Sequence, residues 1–262
     1  MSTLSLAVHD SNTMLRRNLL HMRRYPSMTL LLMGIPVIIL LLFVYVFGGT
    51  LGAGLGPSGG RAQYANYVTP GILLITVVSA AQGTAISVAM DMTEGIIARF
   101  RTMAIFRPSV LTGHVLGSLA QALLSLAAVT GVALLVGFRP TASLVEWLAA
   151  AGVLAMITFA LTWLSVALGL VSDSVETASN LPMPLILLPF LGSGFVPTDS
   201  MPTPVRLFAD YQPFTPVMET LRGLLLGSGI GANGIIAVAW CVVITVVCFL
   251  WSKALYNRNR AA

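Results

Sequence analysis

The sequence predicts an all-α membrane protein that crosses the bilayer six times. Six stretches, 28–47, 70–90, 111–136, 147–171, 181–196 and 235–251, are apolar and contain no Asp, Glu, Lys or Arg. At ~1.5 Å of rise per residue, about 20 residues cover a hydrocarbon core of ~30 Å; the first four stretches reach that length and the last two are short but usable. Only 9% of the 262 residues are charged and 56% are hydrophobic, where a soluble domain carries about 25% charged residues. The basic residues are also asymmetric. Six spans put both termini on one face, and with that face cytoplasmic the inner segments hold Arg16, Arg17, Arg23, Arg24, Arg99, Arg101, Arg107, Lys253, Arg258 and Arg260. The outer segments hold only Arg61, Arg139, Arg206 and Arg222, as the positive-inside rule requires. The net charge of +5 is thus a topology signal and an affinity for anionic lipid. Nucleic acid is not an expected partner, because no aromatic platform accompanies the basic residues.

Residues 1–27 form a cytoplasmic amphipathic segment. Leu15, Leu19 and Met22 recur at helical spacing with Arg16, Arg17, Arg23 and Arg24 around them, and Pro26 stops the helix. Such a segment lies along the inner leaflet, as a plain anchor or as a surface that also touches a cytoplasmic partner. Stretch 28–47 exceeds the 7–15 residues of a signal-peptide core and reads as a first span opening a membrane domain over 28–252. The second stretch carries Thr76, Ser79, Gln82, Gly83, Thr84 and Ser87. Polar groups at that depth either join helices or meet cargo.

The following inner segment, 91–108, reads DMTEGIIARFRTMAIFRP. Ile96, Phe100 and Met103 fall on one face of a short helix that is too apolar for a plain connector. That face either tucks under the membrane domain or docks onto a second protein. Gly113 and Gly117 begin the third stretch with a small-xxx-small pair. The fifth stretch contains Pro182, Pro184, Pro189, Gly192 and Gly194, so its hydrogen-bond ladder must break, and the freed carbonyls need partners in protein or a cavity. Between it and the last stretch, Thr203-Pro204 and Thr215-Pro216 suggest two helix starts. The apolar runs 205–211 and 217–226 are too short to cross and predict re-entrant or interfacial helices. Leu221, Leu224 and Leu225 argue against a loop in water. Residues 253–262 are a short cytoplasmic tail.

Motif tests exclude more than they admit. Gly229-Ile-Gly231-Ala-Asn-Gly234 spells a dinucleotide fingerprint but follows a helical run, with no later acid. Lys253, the sole lysine, follows no phosphate-binding loop, so ATP cannot be held by that route. His9, His21 and His114 show no ligand spacing, and no metal site or catalytic cluster is expected. Cys241 and Cys248 lie about 10 Å apart along one helix, too far to bridge within the chain. No span carries Asp, Glu, Lys or Arg, which argues against ion-driven transport. What remains is a membrane domain without an engine and with a docking loop.

Three passages, EGIIARFRTMAIFRPSVLTGHVLGS over 94–118, LPFLGSGFVPTDSMP over 188–202 and FADYQPFTPVMETLRGLLLG over 208–227, make the chain resemble the permease subunits of ABC type-2 exporters, in particular daunorubicin and doxorubicin resistance permeases. It departs from their commoner pattern at Ala104-Ile105-Phe106. The resemblance implies a six-span exporter half in a bacterial plasma membrane, paired with a second permease half, identical or related. It also implies a separate cytoplasmic ATP-binding subunit that binds ATP and Mg; this chain would hold no cofactor. A coupling helix would map to Glu94, Gly95, Arg99, Phe100 and Arg101, beside a connecting helix near Arg16 and Arg17. Spans two and five would line the path, which points to Thr76, Ser79, Gln82, Asn180, Pro189 and Phe195. Cargo would be amphipathic and drug-like or lipid-like. The alternatives are an exporter of cell-envelope lipid or glycan precursors, or a scaffold or channel without an ATPase.

Overall fold

The computed structural model describes residues 26–56, 60–93 and 108–258, and among them all regular structure is helical. In chain order the elements are α1 (Pro26–Leu41), a π-helical turn (Leu42–Phe47), α2 (Gly48–Ala53), α3 (Arg61–Thr93), α4 (Pro108–Val136), α5 (Leu144–Val171), α6 (Val175–Asn180), α7 (Met183–Leu187), a 3-10 turn (Thr198–Ser200), α8 (Thr203–Tyr211), α9 (Phe214–Leu226) and α10 (Asn233–Arg258). Five helical stretches, Met33–Ala53, Arg61–Thr93, Val115–Val136, Leu144–Val171 and Asn233–Tyr256, are long and apolar enough to cross a membrane.

The bundle is built around α3. Its most apolar 18-residue window is 83% buried, against 67% for α5 and 17% for α10. It packs on α1, α4, α5, α6 and α9. Its polar side chains do not strain this environment, because they turn back on the helix: Thr69, Thr76 and Thr84 donate to the carbonyls of Ala65, Ile72 and Ala80. Thr158 and Thr162 on α5 do the same. Where α3 and α5 meet, a Cβ on Gly169 would lie 2.7 Å from the Ala85 carbonyl oxygen, so glycine permits a backbone approach typical of membrane helices. The outward faces are apolar instead of charged: Leu135 is 86% exposed, Ile235 and Leu144 77%. In water that surface would drive aggregation; against lipid tails it is the matched surface.

Several element ends differ from the sequence expectation. α5 starts at Leu144, three residues before the expected 147, because Ser143 and Glu146 form a reciprocal capping box. The expected caps Thr203 and Thr215 are not caps. Pro202 and Pro213 precede the helices, Thr203 is already helical, and Thr215 is buried one residue inside α9. The fifth stretch, 181–196, contains no helix longer than Met183–Leu187, which rises only about 7.5 Å. Pro182 and Pro184 fit its first turn, and Pro189 has no N–H with which to extend it. The chain then runs through turns to Phe195.

The two outer runs separate in character. On α8 only Ala209 is buried, and Arg206 bridges Asp199 at 2.6 Å and Asp210 at 3.6 Å. Most of α9 is buried, including Leu221, Leu224 and Leu225, so the leucines do leave water. Gly227, at φ +74°, ends α9 with a left-handed cap. The motif from Gly229 to Gly234 is a turn that runs into the first residues of α10, preceded by a helix and not by a strand. Cys241 and Cys248 are buried free thiols.

Candidate functional site

The broken segment 188–195 meets α3 and α9 in a joint whose polar groups are almost wholly enclosed. Helix breakage frees carbonyls, and the structure supplies a side-chain donor for several of them. Gln212 Nε2 donates to the Leu188 carbonyl at 2.9 Å, Arg222 Nη2 to that of Ser193 at 2.9 Å, and the Tyr64 hydroxyl to that of Phe195 at 3.3 Å. The sequence requirement that these carbonyls find protein partners is thereby met.

Arg222 is the centre of the joint. It is only 8% exposed. Its Nη1 donates to Glu219 Oε1 at 2.5 Å, one helical turn away, and its Nη2 also reaches the Tyr67 carbonyl at 3.2 Å. The guanidinium lies 4.1 Å from the Tyr67 ring centroid, a cation–π geometry. One planar fork therefore connects α3, the broken segment and α9. Among the four arginines assigned to outer segments, Arg222 has its charge enclosed and paired within the protein.

Close backbone contact completes the joint. A Cβ on Gly71 would stand 2.9 Å from the Gly194 carbonyl oxygen, and one on Gly194 would stand 2.6 Å from that of Pro189 and 2.9 Å from Met218 Sδ. Behind it, Phe43 in the π-helical turn packs 4.5 Å from Phe195, whose ring stacks at 4.3 Å on Phe190. π-helical turns widen a helix locally, and here the widened turn carries the first span's aromatic contact with the segment.

The residues expected along a path divide between two places and the helix between them. Pro189 and Phe195 are buried in the joint. Gln82 lies eleven residues beyond Gly71 on α3, about 16 Å along the axis, and its Nε2 donates to the Ser179 carbonyl at 2.7 Å. That bond ties α3 to α6 beside Asn180, which is exposed. Thr76 and Ser79 lie between, buried within the subunit. Glu94, Gly95, Arg99, Phe100, Arg101, Arg16 and Arg17 lie outside the described residues. Sequence reasoning missed Tyr67, Ser193, Gln212 and Arg222. The available signal was Glu219 three positions before Arg222 inside the apolar run of α9, a helical ion pair.

Residues 10–226 match the family model described as ABC-2 type transporter. The chain belongs to the ABC-2 type transporter family. It is 27% identical over 256 residues to the daunorubicin resistance ABC transporter permease protein DrrB1 of Streptomyces coeruleorubidus, covering 97% of this chain and 88% of that one. It is 22% identical over 191 residues to the probable doxorubicin resistance ABC transporter permease protein DrrC of Mycobacterium tuberculosis, covering 73% of this chain and 69% of that one. The family match spans every joint residue from Phe43 to Arg222. This ABC-2 protein is accordingly a multi-pass membrane permease, the transport component of an ABC exporter.

Proposed function

We propose that the chain is one half of an ATP-driven exporter that moves amphipathic drug-like or lipid-like molecules out of a bacterial cell, powered by a separate cytoplasmic ATP-binding subunit. The broken segment serves as the fifth of six spans, and both termini lie in the cytoplasm. Residues 1–27 and 253–262 flank the membrane domain at 28–252. The second half is another copy or a related permease. ATP and Mg belong to the partner subunit, and lipids surround the rest.

One observation carries the mechanical reading. The segment 94–107 joins the end of α3 to the start of α4, and α3 runs unbroken from Thr93 back to the joint at Tyr67 and Gly71. That distance is about 33 to 39 Å along one helix. A handle formed by Glu94, Gly95, Arg99, Phe100 and Arg101, with Arg16 and Arg17 beside it, would therefore act on the broken segment through a single stiff lever. ATP-driven closure of the partner subunits displaces the handles, α3 shifts, and the membrane halves pass from inward-open to outward-open. Gln82 and Asn180 would meet cargo on the way, with Thr76, Ser79, Pro189 and Phe195 shaping the wall. The relatives named for daunorubicin and doxorubicin resistance support this cargo class.

The test is co-expression with the ATP-binding subunit from the same source and reconstitution in proteoliposomes. ATP-dependent movement of an anthracycline is the expected result. Movement of a labelled lipid or glycan precursor with no anthracycline transport would favour the envelope reading. Failure of the chain to recover any ATP-binding subunit from native membrane would sink the two-subunit mechanism.

A further inference from the structure

Three side chains at the joint keep an unpaired polar atom although each is more than nine-tenths buried. They are Ser193 Oγ, Gln212 Oε1 and Arg222 Nε, belonging to residues that are 3%, 5% and 8% exposed. Gln212 and Arg222 both reach the Gly192–Ser193 dipeptide. Arg222 holds the carbonyl of Ser193, and a Cβ on the adjacent Gly192 would lie 2.3 Å from Gln212 Nε2 and 2.7 Å from Thr215 Oγ1. An orphan polar atom in a low-dielectric interior is costly, and three of the five such atoms among the described residues belong to side chains at Gly192–Ser193.

We propose that Ser193, Gln212 and Arg222 enclose a buried hydration site, a neutral site that takes one or two water molecules behind the broken segment. The chemistry of the orphan set selects the occupant. Arg222 Nε is a donor, Gln212 Oε1 an acceptor, and Ser193 Oγ either. Water accepts from the first, donates to the second and exchanges either role with the third, which is the two to four partners a buried water takes. An ion does not suit the set. Glu219 already balances the guanidinium at 2.5 Å, so an added anion or cation would enter uncompensated. The inference concerns the joint alone and stands independently of the transport reading.

Met218 offers the probe. It is fully buried, and its Cε and Sδ come within 2.9 Å of the Cβ positions of Gly192 and Gly194, on either side of Ser193. X-ray radiolysis of bound water makes hydroxyl radicals in place; these add to a neighbouring thioether sulfur, and dissolved O2 takes the adduct on to the sulfoxide. The experiment uses the full chain in lipid nanodiscs, with Met218 compared against Met201, which lies outside the stretch 181–196 beside the exposed Asp199–Arg206 pair. Met218 is expected to be oxidised despite its burial, and Ser193→Val, which fills the site with methyl groups, is expected to lower that rate by about fivefold with Met201 unchanged. Should Ser193→Val not fold by thermal melt, Ser193→Ala removes one of the water's partners and is expected to lower the rate by about twofold. An unlabelled Met218 at doses that saturate Met201, or labelling equal in the parent and the folded variant, overturns the proposal.

Discussion

Arg222 is the residue on which the joint's energetics turn, because its guanidinium answers a carboxylate, two carbonyls and an aromatic face at once. Arg222→Met leaves Glu219 half-buried without its partner and strips the Ser193 carbonyl of its donor. Removing one member of a buried pair costs about 3 kcal/mol or more. The expected outcome is a clear fall in melting temperature and reduced recovery from membranes, whereas an unchanged melt would show that the fork is dispensable. Arg222→Lys should restore only part, since an ammonium cannot hold the planar two-carbonyl geometry. Gly71→Ala and Gly194→Ala test the close approach in another way. Each adds one methyl against backbone at under 3 Å, and each should destabilise by about 1–3 kcal/mol, read as melting temperature. Gln82→Leu belongs to the other site. It removes the tie to the Ser179 carbonyl and is expected to shift cargo preference more than assembly; an identical substrate-stimulated ATPase in the purified complex would remove Gln82 from the path.

At the scale of elements, α3 and the segment after α7 have opposite mechanical character. α3 has 33 residues with threonines bonded to their own helix and neighbours on several sides. Beyond the turn bonds of Phe190 and Leu191 to the Leu187 carbonyl, the segment 188–195 is held by side chains from α3, from α9 and from Gln212 in the α8–α9 connection. A change of state can therefore alter partners along 188–195 while α3 remains intact. Pro189→Ala tests this, since it restores an N–H and lets α7 extend past Leu188. Transport should fall while the melting temperature holds or rises, and transport at the parent level would mean that the break is incidental. Gly227 sets the end of α9 with its positive φ, and the Leu225 carbonyl near that end accepts from Thr141 N in the α4–α5 connection. Its turn lies at the end of α3 remote from segment 94–107, consistent with opposite faces of the membrane.

For the whole molecule the prediction concerns coupling. Glu94→Lys or Arg101→Glu should leave the bundle folded and uncouple ATP hydrolysis from export, measured as ATPase rate against cargo flux in the same proteoliposomes. Unchanged flux together with unchanged binding of the ATP-binding subunit would remove the handle from 94–101. The isolated chain should not hydrolyse ATP. Exposure of 94–101 on the outside of intact cells would reverse the proposed orientation.

Composition, the apolar stretches and the placement of prolines by themselves determined a helical membrane protein, its long helices and the place where one stretch must break. These properties are local: hydropathy sums along the chain, and a missing N–H at Pro189 acts within one turn. The passages 188–202 and 208–227 were likewise visible as unusual. That they face each other was decided only by the tertiary structure, because Arg222, Gln212 and Tyr64 reach carbonyls 24 to 131 residues away in the chain. Periodicity carries no record of such pairings. The same distance explains why the sequence showed Arg222 only as one of four basic residues in outer segments: its carbonyl and aromatic partners lie on other elements, and only their packing makes it the bolt of an internal joint.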